Sequence, residues 1–187
     1  MVKFLAEFFL RLRGWQAEGD IPAATKYVLI AAPHTTNWDL FYFLAIARAM
    51  GVDVRWMGKQ SLFRGPMGTI MRALGGIAIR RGRSGNRVNQ IAETFASVDS
   101  LVITVPAEGT RAYVPHWKSG FYRIALAAKV PIVLGYLDYA RKRGGLGPEV
   151  IPTGNVREDM DEVRAFYEGI TGKYPEKFGA IRLKEEM

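Results

Sequence analysis

Short apolar runs alternate along this chain with stretches whose apolar residues recur every three or four positions. Tyr27-Val-Leu-Ile-Ala-Ala32 is continuously apolar, as a strand covered on both faces is. From Asn37 to Met50 the pattern predicts a helix, with Thr35, Thr36 or Asn37 as N-cap and Gly51 as its stop. Val52–Met57 reads as a second strand. Met67, Ile70, Met71 and Leu74 fall at i, i+3, i+4 and i+7, a short helix ended by Gly75-Gly76. That stripe reads as ordinary core, the other use of such a surface being the lining of an acyl tunnel.

Ile77–Ile79 is a short strand running into the basic turn Arg80-Arg-Gly-Arg83. Val88, Ile91, Ala92 and Phe95 mark a further helix, and Leu101–Val105 a further strand. Ser119 can cap a helix reaching Lys129, Val130–Leu134 is a strand with its proline near the start, and Val163, Phe166, Tyr167 and Ile170 give a last helix. Strands and helices in alternation predict an α/β fold, a mostly parallel central sheet with helices on both faces. No Gly-rich dinucleotide loop follows the first strand.

The N-terminal residues have a different pattern. On a helix, Lys3, Glu7 and Arg11 form one narrow polar stripe, and Val2, Phe4, Leu5, Phe8, Phe9 and Leu12 cover the remaining circumference. A helix so broadly apolar is buried in protein or lies in a lipid interface. Glu7 interrupts the run, which falls far short of the ~20 apolar residues needed to span a bilayer, and no signal-peptide cleavage pattern follows. The basic residues at its end favour the membrane surface. The expected organisation is therefore an amphipathic N-terminal helix over residues 1–20 as a membrane-interface segment, and a single domain over 21–187.

Composition narrows the chemistry. Of 187 residues, 49% are hydrophobic, enough for a sizeable core. The net charge of +8 suits nucleic acid, anionic lipid head groups or phosphorylated small molecules. Its arginines are spread over several turns, however, with no recognition helix or RNP-like segment, so no nucleic-acid partner is expected. Cysteine is absent, which removes disulfides, thiolate metal sites and a cysteine nucleophile, and no metal site is expected. Only His34 and His116 can supply histidine chemistry.

His34 follows the first apolar strand and Asp39 lies five residues later. On one regular helix, positions five apart point well away from each other. The two can meet only if the chain turns between them, and Pro33 before and Thr35-Thr-Asn37 after His34 offer that turn. Asp39 would then hold one ring nitrogen while the other takes a proton from an acceptor hydroxyl. The spacing also suits a simpler arrangement, in which Asp39 only supports a helix N-terminus. No G-x-S-x-G elbow supplies a protein nucleophile. A second group, Glu108-Gly-Thr-Arg111, follows the strand Leu101–Val105, where Gly109 permits a tight turn and Arg111 presents a fork suited to phosphate oxygens. Arg80 and Arg81 end another strand in the same manner. In a parallel sheet these ends share one edge, where ligands bind.

In order, His34-x4-Asp39, Gly75-Gly-Ile-Ala-Ile-Arg-Arg81, Glu108-Gly-Thr-Arg111 and Val130-Pro-Ile-Val133 resemble the four blocks of the glycerolipid acyltransferase superfamily, over residues 27–137. The resemblance implies acyl transfer from acyl-CoA or acyl-carrier protein, as co-substrate rather than cofactor, to the hydroxyl of a phosphate-bearing glycerolipid such as 1-acyl-glycerol-3-phosphate. It makes His34 the base and Asp39 its orienting partner, and assigns Arg81, Glu108, Gly109, Thr110 and Arg111 to the acceptor phosphate. It places the protein at the cytoplasmic face of a membrane, peripheral or monotopic, in phospholipid biosynthesis. Pro33, Arg80, Ala107 and Ala112 depart from residues common in that family, and Arg80 adds positive charge beside the phosphate site. The other reading of the same arginines is a non-catalytic binding module for phospholipid or an anionic membrane.

Overall fold

The computed structural model describes residues 2–79 and 84–186. Seven strands, β1 (Gln16–Glu18), β2 (Lys26–Ala32), β3 (Val54–Lys59), β4 (Gly76–Ile79), β5 (Leu101–Pro106), β6 (Ile132–Asp138) and β7 (Arg143–Val150), form one sheet in the order β1-β7-β6-β2-β5-β3-β4. The strands from β6 through β4 pair in parallel. β7 runs antiparallel to β6, and β1 runs parallel to β7. Six α-helices lie among the described residues: α1 (Val2–Leu12), α2 (Trp38–Met50), α3 (Gly65–Ala73), α4 (Ser84–Ala96), α5 (Gly120–Ala128) and α6 (Val156–Tyr167). The chain is a single α/β domain with a mostly parallel sheet, as its patterning predicts.

Alternation along β2 explains why its sequence is apolar throughout. Val28 and Ile30 point to one face and pack with Ile132 and Leu134 of β6 against Phe121, Ile124 and Ala125 of α5 and Met160 and Val163 of α6. Tyr27 and Leu29 point to the other face, with Val133, against Leu44 and Ala47 of α2. Outside α2, Leu10 of α1 and Trp15 pack on Tyr42 and Ile46.

Several expectations change. β1 and β7 were not predicted, and β7 (Arg-Gly-Gly-Leu-Gly-Pro-Glu-Val) contains residues that disfavour strands. Close approach explains its glycines: a Cβ on Gly145 would lie 1.7 Å from the Glu18 carbonyl oxygen, so β1 can pair there only against glycine. β6 begins at Ile132 rather than Val130, although the Pro131 carbonyl already accepts the Val28 N–H at 3.0 Å. In α3 only half of the apolar stripe is core: Met71 and Leu74 pack inward, while Met67 and Ile70 are 56% and 52% exposed. α1 buries Ala6 and Leu10 but leaves Val2, Phe4, Leu5, Phe8 and Leu12 exposed. No helix among the described residues is long and apolar enough to cross a membrane.

Leu134 is fully buried in a strand with neighbours on both sides. Leu134→Ala is expected to lower the unfolding free energy by about 2–5 kcal/mol, measured by urea denaturation. A loss below about 1 kcal/mol would show that β6 is not the packed centre of the sheet.

Candidate active site

Three adjacent parallel strands end side by side, because β2 pairs with β5 through Ala31↔Pro106 and with β6 through Ala32↔Tyr136. The residues just past those ends are His34, Glu108 and Tyr139. The Ala32–Pro33 peptide is cis, and the chain turns through Thr35–Asn37 into α2, which Gly51 closes in the left-handed conformation. Asn37 holds the N-cap position but makes no side-chain cap bond. Asp39, in the first turn, serves the helix start instead: its Oδ2 accepts the backbone N–H of Thr35 at 2.7 Å and of Thr36 at 2.9 Å.

That same Oδ2 faces His34 Nδ1 at 3.3 Å. The other carboxylate oxygen, Oδ1, accepts the Tyr139 hydroxyl at 2.7 Å. Asp39 is only 3% exposed, so these donors replace the water it has lost. Burial, and then the bond to Asp39, push the Tyr139 hydroxyl far above its ordinary value, so it stays a donor. Since a carboxylate only accepts, the contact with Asp39 favours the hydrogen on Nδ1 of His34 and leaves the Nε2 lone pair available. His34 itself is partly exposed, and this arrangement suits a general base.

Glu108 supports His34 from the other side. Its Oε1 accepts the His34 backbone N–H at 2.8 Å, and the residue is 1% exposed. Its Oε2 has no hydrogen-bond partner among the described residues. Burial is the largest influence on this carboxyl and raises its pKa above the ordinary carboxylate value, against the lowering by the His34 N–H. Glu108 was expected among the phosphate-binding residues; its side chain instead lies under the His34 backbone, out of reach of an acceptor in solvent.

Gly109, Thr110 and Arg111 are exposed. Gly109 has φ +68, and a Cβ there would lie 3.0 Å from Lys118 Cγ, so the left-handed turn and the lysine stem both call for glycine. Thr110 Oγ1 accepts the Ala112 N–H at 3.3 Å. The Lys118 N–H donates to the Ala107 carbonyl at 2.8 Å, which fixes the Trp117–Lys118 segment against the turn. Arg81, with Arg80, lies outside the described residues.

The geometry has a counterpart in comparisons with known proteins. The family model described as Acyltransferase matches residues 16–134, more than half of the chain. The chain belongs to the Acyltransferase family. It is thus an acyltransferase enzyme. No curated protein matches by sequence. Among solved structures, the 1-acyl-sn-glycerophosphate (LPA) acyltransferase PlsC from Thermotoga maritima is similar, with a TM-score of 0.59 and 16% identity over 89% of this chain and 73% of that one. At that identity the likeness speaks for a shared fold.

Two residues at the candidate site escaped sequence reading. Tyr139 has no motif of its own and is found only by knowing that β6 lies beside β2. Lys118 stood in the Trp117–Gly120 segment, but its stem over Gly109 depends on the turn. The C-terminal segment also closes on the site, since the Tyr139 N–H donates to the Thr171 carbonyl at 2.9 Å and the Tyr174 N–H to Thr35 Oγ1 at 3.3 Å.

Glu108 provides a test by pH. A carboxyl raised in the folded state keeps its proton there at pH values where the unfolded chain has lost it. Folding is therefore disfavoured increasingly as pH rises from the unfolded value, about 4.3, through the folded one. Glu108→Gln removes this dependence and keeps an acceptor for the His34 N–H. Relative to the wild type, its stability in denaturant melts should improve between pH 4 and pH 8. A difference that is flat, or that moves the other way, contradicts a raised Glu108.

Proposed function

We propose that this acyltransferase moves an acyl chain from the thioester of acyl-CoA or acyl-carrier protein to the free hydroxyl of a phosphate-bearing glycerolipid, 1-acyl-glycerol-3-phosphate being the acceptor that fits best. The observation behind the reading is the contact of His34 Nδ1 with Asp39 Oδ2 at 3.3 Å, on a carboxylate that also accepts from the Thr35 and Thr36 N–H groups and the Tyr139 hydroxyl. Such a histidine can take a proton only through Nε2, from a molecule in the cleft.

In this mechanism the acceptor O–H gives its proton to Nε2 of His34 as its oxygen attacks the thioester carbonyl carbon. Asp39 stabilises the imidazolium that forms. The tetrahedral oxyanion collapses, the C–S bond breaks, and His34 returns the proton to the departing thiolate, giving an ester and a free thiol. The substrate is the nucleophile, so no acyl-enzyme forms, and no resident metal or cofactor takes part. The acceptor phosphate lies against Arg111 with the exposed Gly109–Thr110 turn, with Arg81 as its second cation. Lys118 adds charge beside them. Glu108 acts as a positioning residue for His34 rather than as a phosphate ligand. α1 rests in the interface at the cytoplasmic face of the membrane, its five exposed apolar side chains in lipid and the rest of the chain outside it.

His34→Ala should fold and lose thiol release from acyl-CoA plus lysophosphatidate by about 10²- to 10⁴-fold; release at the wild-type rate would remove His34 from the mechanism. Arg111→Ala should raise the apparent KM for lysophosphatidate by about tenfold, the loss of one charge-assisted contact, with a smaller change in kcat. An unchanged KM would place the phosphate elsewhere.

A further inference from the structure

A cavity of about 450 Å³ opens between the end of α1, the start of α2, the β6–β7 turn and the segment after α6. Its floor is aromatic: Trp15 stacks on Tyr42 with centroids 4.4 Å apart, and Tyr139 meets Trp15 edge-on at 4.9 Å. Its rim is basic, formed by exposed Arg13, Lys142 and Lys173, and no carboxylate among the described residues lines it. Neither His34 nor any residue of Glu108–Arg111 lines it, but Trp38 precedes Asp39 and the Tyr139 hydroxyl donates to Asp39 Oδ1 at 2.7 Å, so the cavity adjoins the candidate active site on its Asp39 side.

The rim is built by the fold. Arg13 Nε donates to the Tyr42 hydroxyl at 3.3 Å, which holds the guanidinium over the floor. Lys142 has φ 52, a left-handed conformation that favours glycine. A lysine there nonetheless places its ammonium 3.5 Å from the Arg13 carbonyl. Three cations gathered without a lining carboxylate repel one another, and an anion relieves that repulsion.

The walls specify more than an anion. Leu12 and Trp38, both lining the cavity, are also among the exposed apolar residues, and Trp38 packs on exposed Phe41 at 5.6 Å. The apolar surface of α1 therefore runs into the cavity mouth. A small free anion would use the rim and leave the aromatic and aliphatic surface unfilled, whereas a phosphate joined to an acyl-bearing glycerol uses both.

We propose that this cavity is a second lipid site, which holds the phosphate head group of an anionic phospholipid whose carbon skeleton lies along Leu12, Trp38 and Phe41. It rests on the reading of α1 as an interfacial helix, and not on acyl transfer. Such a site ties the α1–α2 corner to an anionic bilayer through a specific pocket rather than through charge spread over the surface.

The chain's four tryptophans allow occupancy to be located. Trp15 and Trp38 line the cavity, Trp56 lies in β3, and Trp117 is next to Lys118 at the Gly-Thr-Arg turn. The indole N–H signals of ¹⁵N-labelled full-length chain would be followed as dihexanoylphosphatidylglycerol is added below its micelle concentration. Inorganic phosphate and dihexanoylphosphatidylcholine are added in parallel samples. The expected result is a saturable movement of the Trp15 and Trp38 signals with phosphatidylglycerol, at least tenfold weaker binding of inorganic phosphate, and no saturable movement with phosphatidylcholine. In Lys142→Gln/Lys173→Gln, with Trp56 and Trp117 signals in their native positions, the affinity should fall at least fivefold. Movement of Trp117 alone would assign the lipid to the acceptor site. Equal affinity for inorganic phosphate would make the cavity a free-anion pocket, and equal binding by phosphatidylcholine would remove the role of charge. Wild-type affinity in the double variant, or no movement at all, would likewise overturn the proposal. None of these readouts depends on turnover, so the site and the acyl-transfer reading stand or fall separately.

Discussion

The buried carboxylate of Asp39 sets the arrangement around it. A carboxylate taken out of water needs donors in place of the solvent it has lost. Asp39 finds them on two separate pieces of chain: the His34 ring and the Thr35 and Thr36 backbone beyond the end of β2, and the Tyr139 hydroxyl beyond the end of β6. The same contacts satisfy N–H groups at the start of α2, which Asn37 leaves without a side-chain cap. One side chain thus links the helix start, the ends of two neighbouring strands and the orientation of the imidazole. Its removal would disturb local folding and chemistry together, which is why the residues around it are the more selective probes of function.

Opposed electrostatic environments flank His34. On one side is Asp39, surrounded by donors; on the other is Glu108, buried with one oxygen on the His34 backbone and the other without a partner among the described residues. Burial favours the neutral form of Glu108, so the two carboxyls act differently on the histidine. Asp39 acts on the ring and Glu108 on the main chain. Arg111 and Lys118 lie on exposed chain beyond Glu108.

Much of this was legible because it depends on local pattern. β2, β5, α2 and α5 combine apolar runs or stripes with recognisable ends, and the parallel sheet follows from their alternation. The convergence of His34 and Glu108–Arg111 on one edge follows from that sheet alone. β7 was not legible, since its glycines answer to close approach by other elements, Gly145 to β1, Gly144 to Ile46 of α2 and Gly147 to Phe166 of α6, a property of packing that no strand propensity describes. Tyr139 was hidden for a related reason: its partner is 100 residues away, and only the β6–β2 adjacency brings them together. The inward direction of Glu108 could not be read from its motif, because loop side chains have no periodicity to say which way they face. In α3, a regular stripe concealed that Met67 and Ile70 face outward.

The central claim is that His34, oriented by Asp39, activates a hydroxyl of the substrate, so that the acyl group passes directly from thioester to acceptor. Incubating the purified chain with acyl-CoA alone, and then adding lysophosphatidate, tests this while intact-protein mass and free thiol are followed together. The account predicts an unchanged protein mass throughout and thiol release only after the acceptor is added, in step with the diacyl product. A protein mass raised by one acyl group, with a matching burst of thiol before any acceptor is present, would contradict it.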